Sequence, residues 1–193
     1  MMERSAAAAS HIPLCDMAGD VIALGDGVTE VAVGDRVTMT HYRRWLDGRW
    51  HESMKLEDHG QTLDGFLREL AVVPAAALIR IPDPISYEDA GTLPSAGLTA
   101  WQAVVETGRI QPGETMVTIG TGGVSVFAVQ WARMMGARVI VTSSSDAKLA
   151  RMREIGADDG INYKSHPDWQ KAVMDLTDGQ GANLVINNVG MAE

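Results

Sequence analysis

A chain of 193 residues, 46% hydrophobic and 21% charged, has the make-up of an ordinary globular protein with material for one or two domains. Its formal net charge of -9 argues against a nucleic-acid surface, which needs a basic face. The single cysteine, Cys15, excludes an internal disulfide framework and an all-cysteine zinc site, and no apolar run approaches the roughly 20 residues that span a bilayer.

The opening MMERSAAAAS has four alanines as its only apolar core, too short for a secretory signal, so a cytoplasmic compartment is the expectation. From Ile12 to about Pro82 short apolar runs alternate with turn residues. DVIALGDGVTEVAVGDRVTM reads as strand, Gly-Asp-Gly turn, strand, Gly-Asp turn, strand. GFLRELAVVP reads as a further strand closed by Pro74, and HYRRWLDGRWHESMKLEDHGQ between them as a surface loop. Pro82 and Pro84 then interrupt the chain, and SYEDAGTLPSAGLTAWQAVVETG supplies helical stretches, the first capped by Ser86 with Asp89 three residues on.

From Glu114 the rhythm becomes strand-helix alternation. TMVTI is a strand, and Val124 to Met135 a helix with Val124, Phe127, Trp131 and Met134 on one face, ended by Gly136. RVIVT is the next strand; DAKLARMREIG is a helix with Leu149, Met152 and Ile155 inward. GINY, PDWQKAVMDLT with Pro167 in its first turn, and NLVINNVG complete the series as strand, helix and strand. Such alternation predicts an α/β unit with a parallel sheet and right-handed crossovers.

Gly120-Thr121-Gly122-Gly123 lies at the first strand-to-helix junction. A helix N-terminus offers unpaired N–H groups and a partial positive charge, and an anion docks there if no side chain stands in the way. Gly120 allows a sharp exit from the strand; Gly122 and Gly123 allow phosphate oxygens to approach the backbone. The pattern is G-x-G-x-x-S, with Ser125 in place of a third glycine. Because a second strand ends about 20 residues on, the context is that of a dinucleotide pyrophosphate site rather than a plain tight turn. The tip of that second strand, TSSSDAK, offers Ser143 and Ser144, with Lys148 one helical turn later, where an NAD site usually has an acid. Hydroxyls and a cation suit a 2′-phosphate, so NADP(H) is favoured over NAD(H), although Asp146 sits close by and Ser145 could serve simply as a helix cap.

Three stretches, PLCDMAGDVIALGDGVTEVAVGDRV, LPSAGLTAWQAVVETGRIQPGETMVTIGTGGVSVFAVQWARMMGARVIVTSSSDAKL and IGADDGINYKSHPDW, together resemble the medium-chain dehydrogenase/reductase superfamily, in its zinc-independent, quinone-oxidoreductase-like and alcohol-dehydrogenase-like branch. The resemblance runs from about Ile12 to Gly190. It implies a partial GroES-like β-barrel over residues 1–81 followed by an incomplete Rossmann domain over residues 82–193. It further implies that Thr99 of GLTAW lies near the nicotinamide and that Gly122, Gly123 and Val124 hold the pyrophosphate. Ser144, Lys148 and Tyr163 would surround the 2′-phosphate, and Asn188 would pass the cofactor after the fourth strand.

Zinc is not expected. Where zinc-dependent relatives carry Gly-His-Glu, this chain has Leu14-Cys15-Asp16, and Ser95 stands where a cysteine ligand would fall. A catalytic zinc needs three protein ligands and an open position, and His11, His41, His51, His59 and His166 show no metal spacing. Against the family, the strands before Ile12 and after the fourth Rossmann strand are not matched; the usual dimer strand is among them, so a homo-oligomer would have to form otherwise. The implied activity is hydride transfer between a nicotinamide and a small-molecule carbonyl, enone, quinone or alcohol, with no acid-base residue readable. The rival is a non-catalytic nucleotide-binding or interaction fragment. A methyltransferase would want an acid at the second strand tip for ribose hydroxyls, and TSSS has none.

Overall fold

Two separate sheets organise the chain, each obeying a different hydrogen-bonding rule. The computed structural model describes residues 11–190; the opening MMERSAAAAS, read above as no signal segment, lies outside them. The chain divides into two compact units, Met1–Ser95 and Ala96–Glu193.

In the first unit, β1 (Ala18–Asp20), β2 (Arg36–Met39) and β3 (Leu78–Arg80) form an antiparallel sheet in that order. The central strand β2 is buried along Val37, Thr38 and Met39, and the Thr38 hydroxyl donates to the carbonyl of Met17. Helix α1 (Tyr87–Ala90) begins as expected, with Ser86 Oγ accepting from the Asp89 N–H. Its Tyr87 hydroxyl donates to Asp20 of β1, and Arg36 lies over the Tyr87 ring at 4.4 Å. These ties join α1 to the first sheet.

Two predicted strands are absent among the described residues. Between β1 and β2 the middle segment, Val28 to Val33, forms no ladder because carboxylates capture its amides: Ala32 N–H donates to Asp35 Oδ2 and Thr29 N–H to Glu30 Oε2. The segment from Gly65 to Pro74 is not a strand either. Only its start is held, by Gly65 N–H to Ile12 O and Phe66 N–H to Leu14 O. Farther on, Leu70 and Val72 are 69% and 101% exposed with no strand alongside to pair their backbone. The predicted surface loop after β2 folds on itself, with Tyr42, Trp45 and Trp50 in ring contact and a short 3₁₀ helix over Glu52–Glu57 capped by His51.

The second unit follows the alternation closely. Strands β4 (Thr115–Ile119), β5 (Arg138–Ser143), β6 (Asp159–Asn162) and β7 (Leu184–Asn187) make a parallel sheet in the order β6-β5-β4-β7. Because successive side chains point to opposite faces, Met116, Val139 and Val141 join the core under helices α3 (Gly123–Met134) and α4 (Asp146–Glu154). Val117, Ile140 and Ile161 meet α5 (Trp169–Leu176) on the other face. The sheet is therefore covered on both sides, which accounts for the apolar run of β5. Replacing the wholly buried Ile140 with Ala is expected to destabilise this unit by about 3–4 kcal/mol, read as a fall in the urea midpoint.

The apolar face read along α3 is only partly buried. Ser125, Ala128, Val129 and Ala132 are buried, while Val124, Phe127 and Trp131 are half-exposed and Met134 is 72% exposed. Small residues let the helix lie close to the sheet, while Val124, Phe127 and Trp131 pack against the margin of the same core; Trp131 meets Trp101 of α2 (Leu98–Trp101) edge-on at 5.2 Å. In α4, Leu149 and Met152 are buried and Ile155 packs against the same core, as the periodicity predicts. Pro167 precedes α5 rather than entering it, since Asp168 is the N-cap.

Candidate functional site

The corner between β4 and α3 is bare. Gly120 leaves the strand at φ +88°, a left-handed conformation that favours glycine, while its N–H stays bonded to Thr142 O of β5. Gly122 is the N-cap of α3, and no side chain caps the helix start. A methyl group built on Gly122 meets no atom within 4 Å, and one on Gly123 meets only the methyl of Ala96 at 3.4 Å. The corner thus has the shape of a cradle whose floor is backbone N–H, with a 12-residue helix dipole behind it. Thr121 and Val124 flank the two glycines half-exposed. The residues present fit a nucleotide diphosphate.

Ser125, which stands in place of a third glycine, has a role of its own. It is fully buried, and its hydroxyl donates to Asn188 Oδ1 at 3.4 Å, joining the first turn of α3 to the chain just past β7. Asn188 is therefore brought to the glycine corner. The spacing G-x-G-x-x-S contained this signal, since a serine replacing glycine at a close-packed position needs a polar partner.

At the tip of β5, Ser143 is buried and its Oγ accepts from Ser145 N–H, so its hydroxyl serves the loop. Ser145 in turn caps α4, accepting from Lys148 N–H. Ser144 is half-exposed, and Lys148 and Tyr163 are exposed, with Tyr163 N–H bonded to Ser143 O so that the ends of β5 and β6 lie together. Asp146, the acid that complicated the reading, accepts from the Asn162 amide at 2.8 Å. Thr99 is exposed on α2, a helix packed against α3, where Trp131 Nε1–H donates to Gly97 O.

A second constellation lies in the first unit. Cys15, Asp16 and His41 bring one sulfur, one carboxylate oxygen and one ring nitrogen within 4.8 Å of one another. Ser95 reaches both ends of the pair, its hydroxyl toward the thiol and its backbone toward the carboxylate. Burial pushes the Cys15 thiol above its ordinary range, with the Asp16 charge adding to the effect; burial likewise raises Asp16, against the opposing pull of His41.

Comparison with known proteins agrees with this architecture. Residues 1–83 match the model of the alcohol dehydrogenase GroES-like domain, and residues 123–193 that of the zinc-binding dehydrogenases. A zinc-type alcohol dehydrogenase-like protein of Schizosaccharomyces pombe is 38% identical over 177 residues, covering 91% of this chain and 51% of that protein. Among solved structures, a putative alcohol dehydrogenase from Sinorhizobium meliloti 1021 superposes with a TM-score of 0.87 at 40% identity, over 96% of this chain and 56% of the other. A NAD-dependent alcohol dehydrogenase gives 0.79 at 38% identity, over 91% and 53%. The Escherichia coli quinone oxidoreductase in complex with NADPH gives 0.74 at 27% identity, over 91% and 48%. The fold is that of a GroES-like unit followed by a Rossmann-type unit. The chain belongs to the medium-chain dehydrogenase/reductase superfamily, and it spans about half the length of the relatives it matches.

Proposed function

We propose that the chain is the GroES-like and nucleotide-binding part of an NADP(H)-dependent oxidoreductase acting on a small-molecule carbonyl, enone, quinone or alcohol. The observation that carries the reading is the uncapped, unobstructed start of α3 at Gly122. When bound, the nicotinamide supplies or accepts the hydride. The protein's part is to hold and orient: Gly120, Thr121, Gly122, Gly123 and Val124 receive the diphosphate on backbone N–H groups, Asn188 lines the approach from β7, and Thr99 lies toward the nicotinamide end.

Preference for a 2′-phosphate is supported by the arrangement around β5. Ser144, Lys148 and Tyr163 supply hydroxyl and ammonium groups around the strand tip, and Asp146, an exposed acid beside them, accepts from the Asn162 amide. Ser143 contributes by shaping the turn. The NADPH complex of the E. coli quinone oxidoreductase is in line with this, and the NAD-dependent neighbour defines the alternative.

Fluorescence titration with NADPH and NADH tests the reading. NADPH is expected to bind at least about tenfold more tightly, a difference of ~1.4 kcal/mol that one charge-assisted phosphate contact can supply. Equal binding would remove the 2′-phosphate assignment; failure of both to bind would remove the cofactor reading. Lys148→Glu is expected to erase the NADPH advantage by about tenfold while leaving NADH affinity within about twofold.

A further inference from the structure

Trp131 stands on the third turn of α3, well past Gly123. At a rise of about 1.5 Å per residue it lies roughly 12 Å along the axis, too far to meet a diphosphate at the glycine corner. Its side chain reaches sideways instead. The indole Nε1–H donates to Gly97 O at 3.2 Å, and the ring meets Trp101 edge-on at 5.2 Å. Among the described residues this is the one side-chain hydrogen bond that joins the stretch 93–101 to α3.

Gly97 is buried and closes a π-helical turn, Leu93–Gly97, that leads into α2. Such turns are rare and gather at functional sites. Immediately before Gly97 comes Ala96, and its methyl borders the cradle: a Cβ built on Gly123 would lie 3.4 Å from it. Thr99 follows two residues later on the same stretch. An anchor on the Gly97 carbonyl therefore acts on both neighbours at once, through short and stiff backbone. Indole suits the task because it combines a large apolar face with an N–H donor, whereas phenylalanine would keep a ring against Trp101 and offer the buried carbonyl nothing.

We propose that Trp131 is a positioning residue for the coenzyme: by holding Gly97 it sets Ala96 as one wall of the diphosphate cradle. The inference rests on the cofactor reading and adds to it a residue that touches no part of the nucleotide. Its test is calorimetric titration of the full chain and two variants with NADPH, NADH and ADP, at a temperature where circular dichroism shows each fully folded. Trp131→Phe is expected to weaken all three ligands by about five- to tenfold, the worth of one hydrogen bond, since all three carry the diphosphate. The ratio of NADPH to NADH affinity should stay within about twofold of the parent's, which separates this effect from that of Lys148. Trp101→Phe removes the partner indole and leaves the bond to Gly97, so it should keep each affinity within about twofold.

Parent-like affinities in Trp131→Phe, with or without a lower melting temperature, overturn the proposal, because they leave the indole a structural role only. An equal loss in Trp101→Phe overturns it too, by assigning the effect to packing of the ring pair. So does a loss for the dinucleotides that spares ADP, since the wall faces the diphosphate. A parent chain that binds none of the three fails the cofactor reading itself, and this proposal falls with it.

Discussion

Gly122→Asp should leave the protein as stable as its parent, or a few tenths of a kcal/mol more so, and yet weaken NADPH binding by on the order of a hundredfold or more. The two effects separate because of where Gly122 sits. Its φ of -78° and ψ of 177° suit any residue, and a Cβ there meets nothing. Aspartate is also among the preferred N-cap residues, so the helix gains a partner for an orphan N–H. The diphosphate, however, would then meet a carboxylate: unit charges ~4 Å apart at an effective dielectric of about 20 repel by about 4 kcal/mol. Thermal melting and fluorescence titration of the same preparation read both effects. Undiminished NADPH affinity in the variant would mean that the diphosphate does not use this corner.

Gly65→Ala should act in the opposite sense, damaging the fold of the first unit by about 3 kcal/mol or more. A Cβ at Gly65 would lie 2.1 Å from Leu14 O and 2.3 Å from Pro13 O, both backbone atoms that have no rotamer to retreat into. Relief requires moving the Pro13–Leu14 backbone, which breaks Gly65 N–H to Ile12 O and Phe66 N–H to Leu14 O. Leu14 has little latitude, since it already holds a φ of +75°, uncommon for a side chain of its size. Unfolding midpoints indistinguishable from the parent would show that this backbone yields more easily than its geometry implies.

The Rossmann-type unit was legible because its signals are local. Strand-helix alternation, the Ser145 cap, Gly136 after α3 and the Leu149–Met152 spacing each depend on a few neighbouring residues. On α3 the periodicity shows an apolar face at Val124, Phe127 and Trp131 that packs at the margin of the core, while the fully buried stripe of small residues, Ser125, Ala128, Val129 and Ala132, stands out less by composition. In the first unit the errors have another source. Whether Val28 to Val33 or Gly65 to Pro74 becomes a strand depends on what lies alongside, and carboxylates at Asp35 and Glu30 competed successfully for the first of them. His41 has no partner by spacing along the chain. Its neighbours Cys15 and Asp16 are distant in sequence, and only the β1–β2 register brings them together.

The bond between Asn162 and Asp146 has a consequence for how coenzyme preference could drift. If the proposed discrimination holds, a side chain on β6 governs it by restraining an acid on the neighbouring helix, without itself meeting the adenosine. Loss of that one amide would release Asp146 toward the ribose, so a lineage could exchange one nicotinamide pool for the other through a single change outside the binding surface.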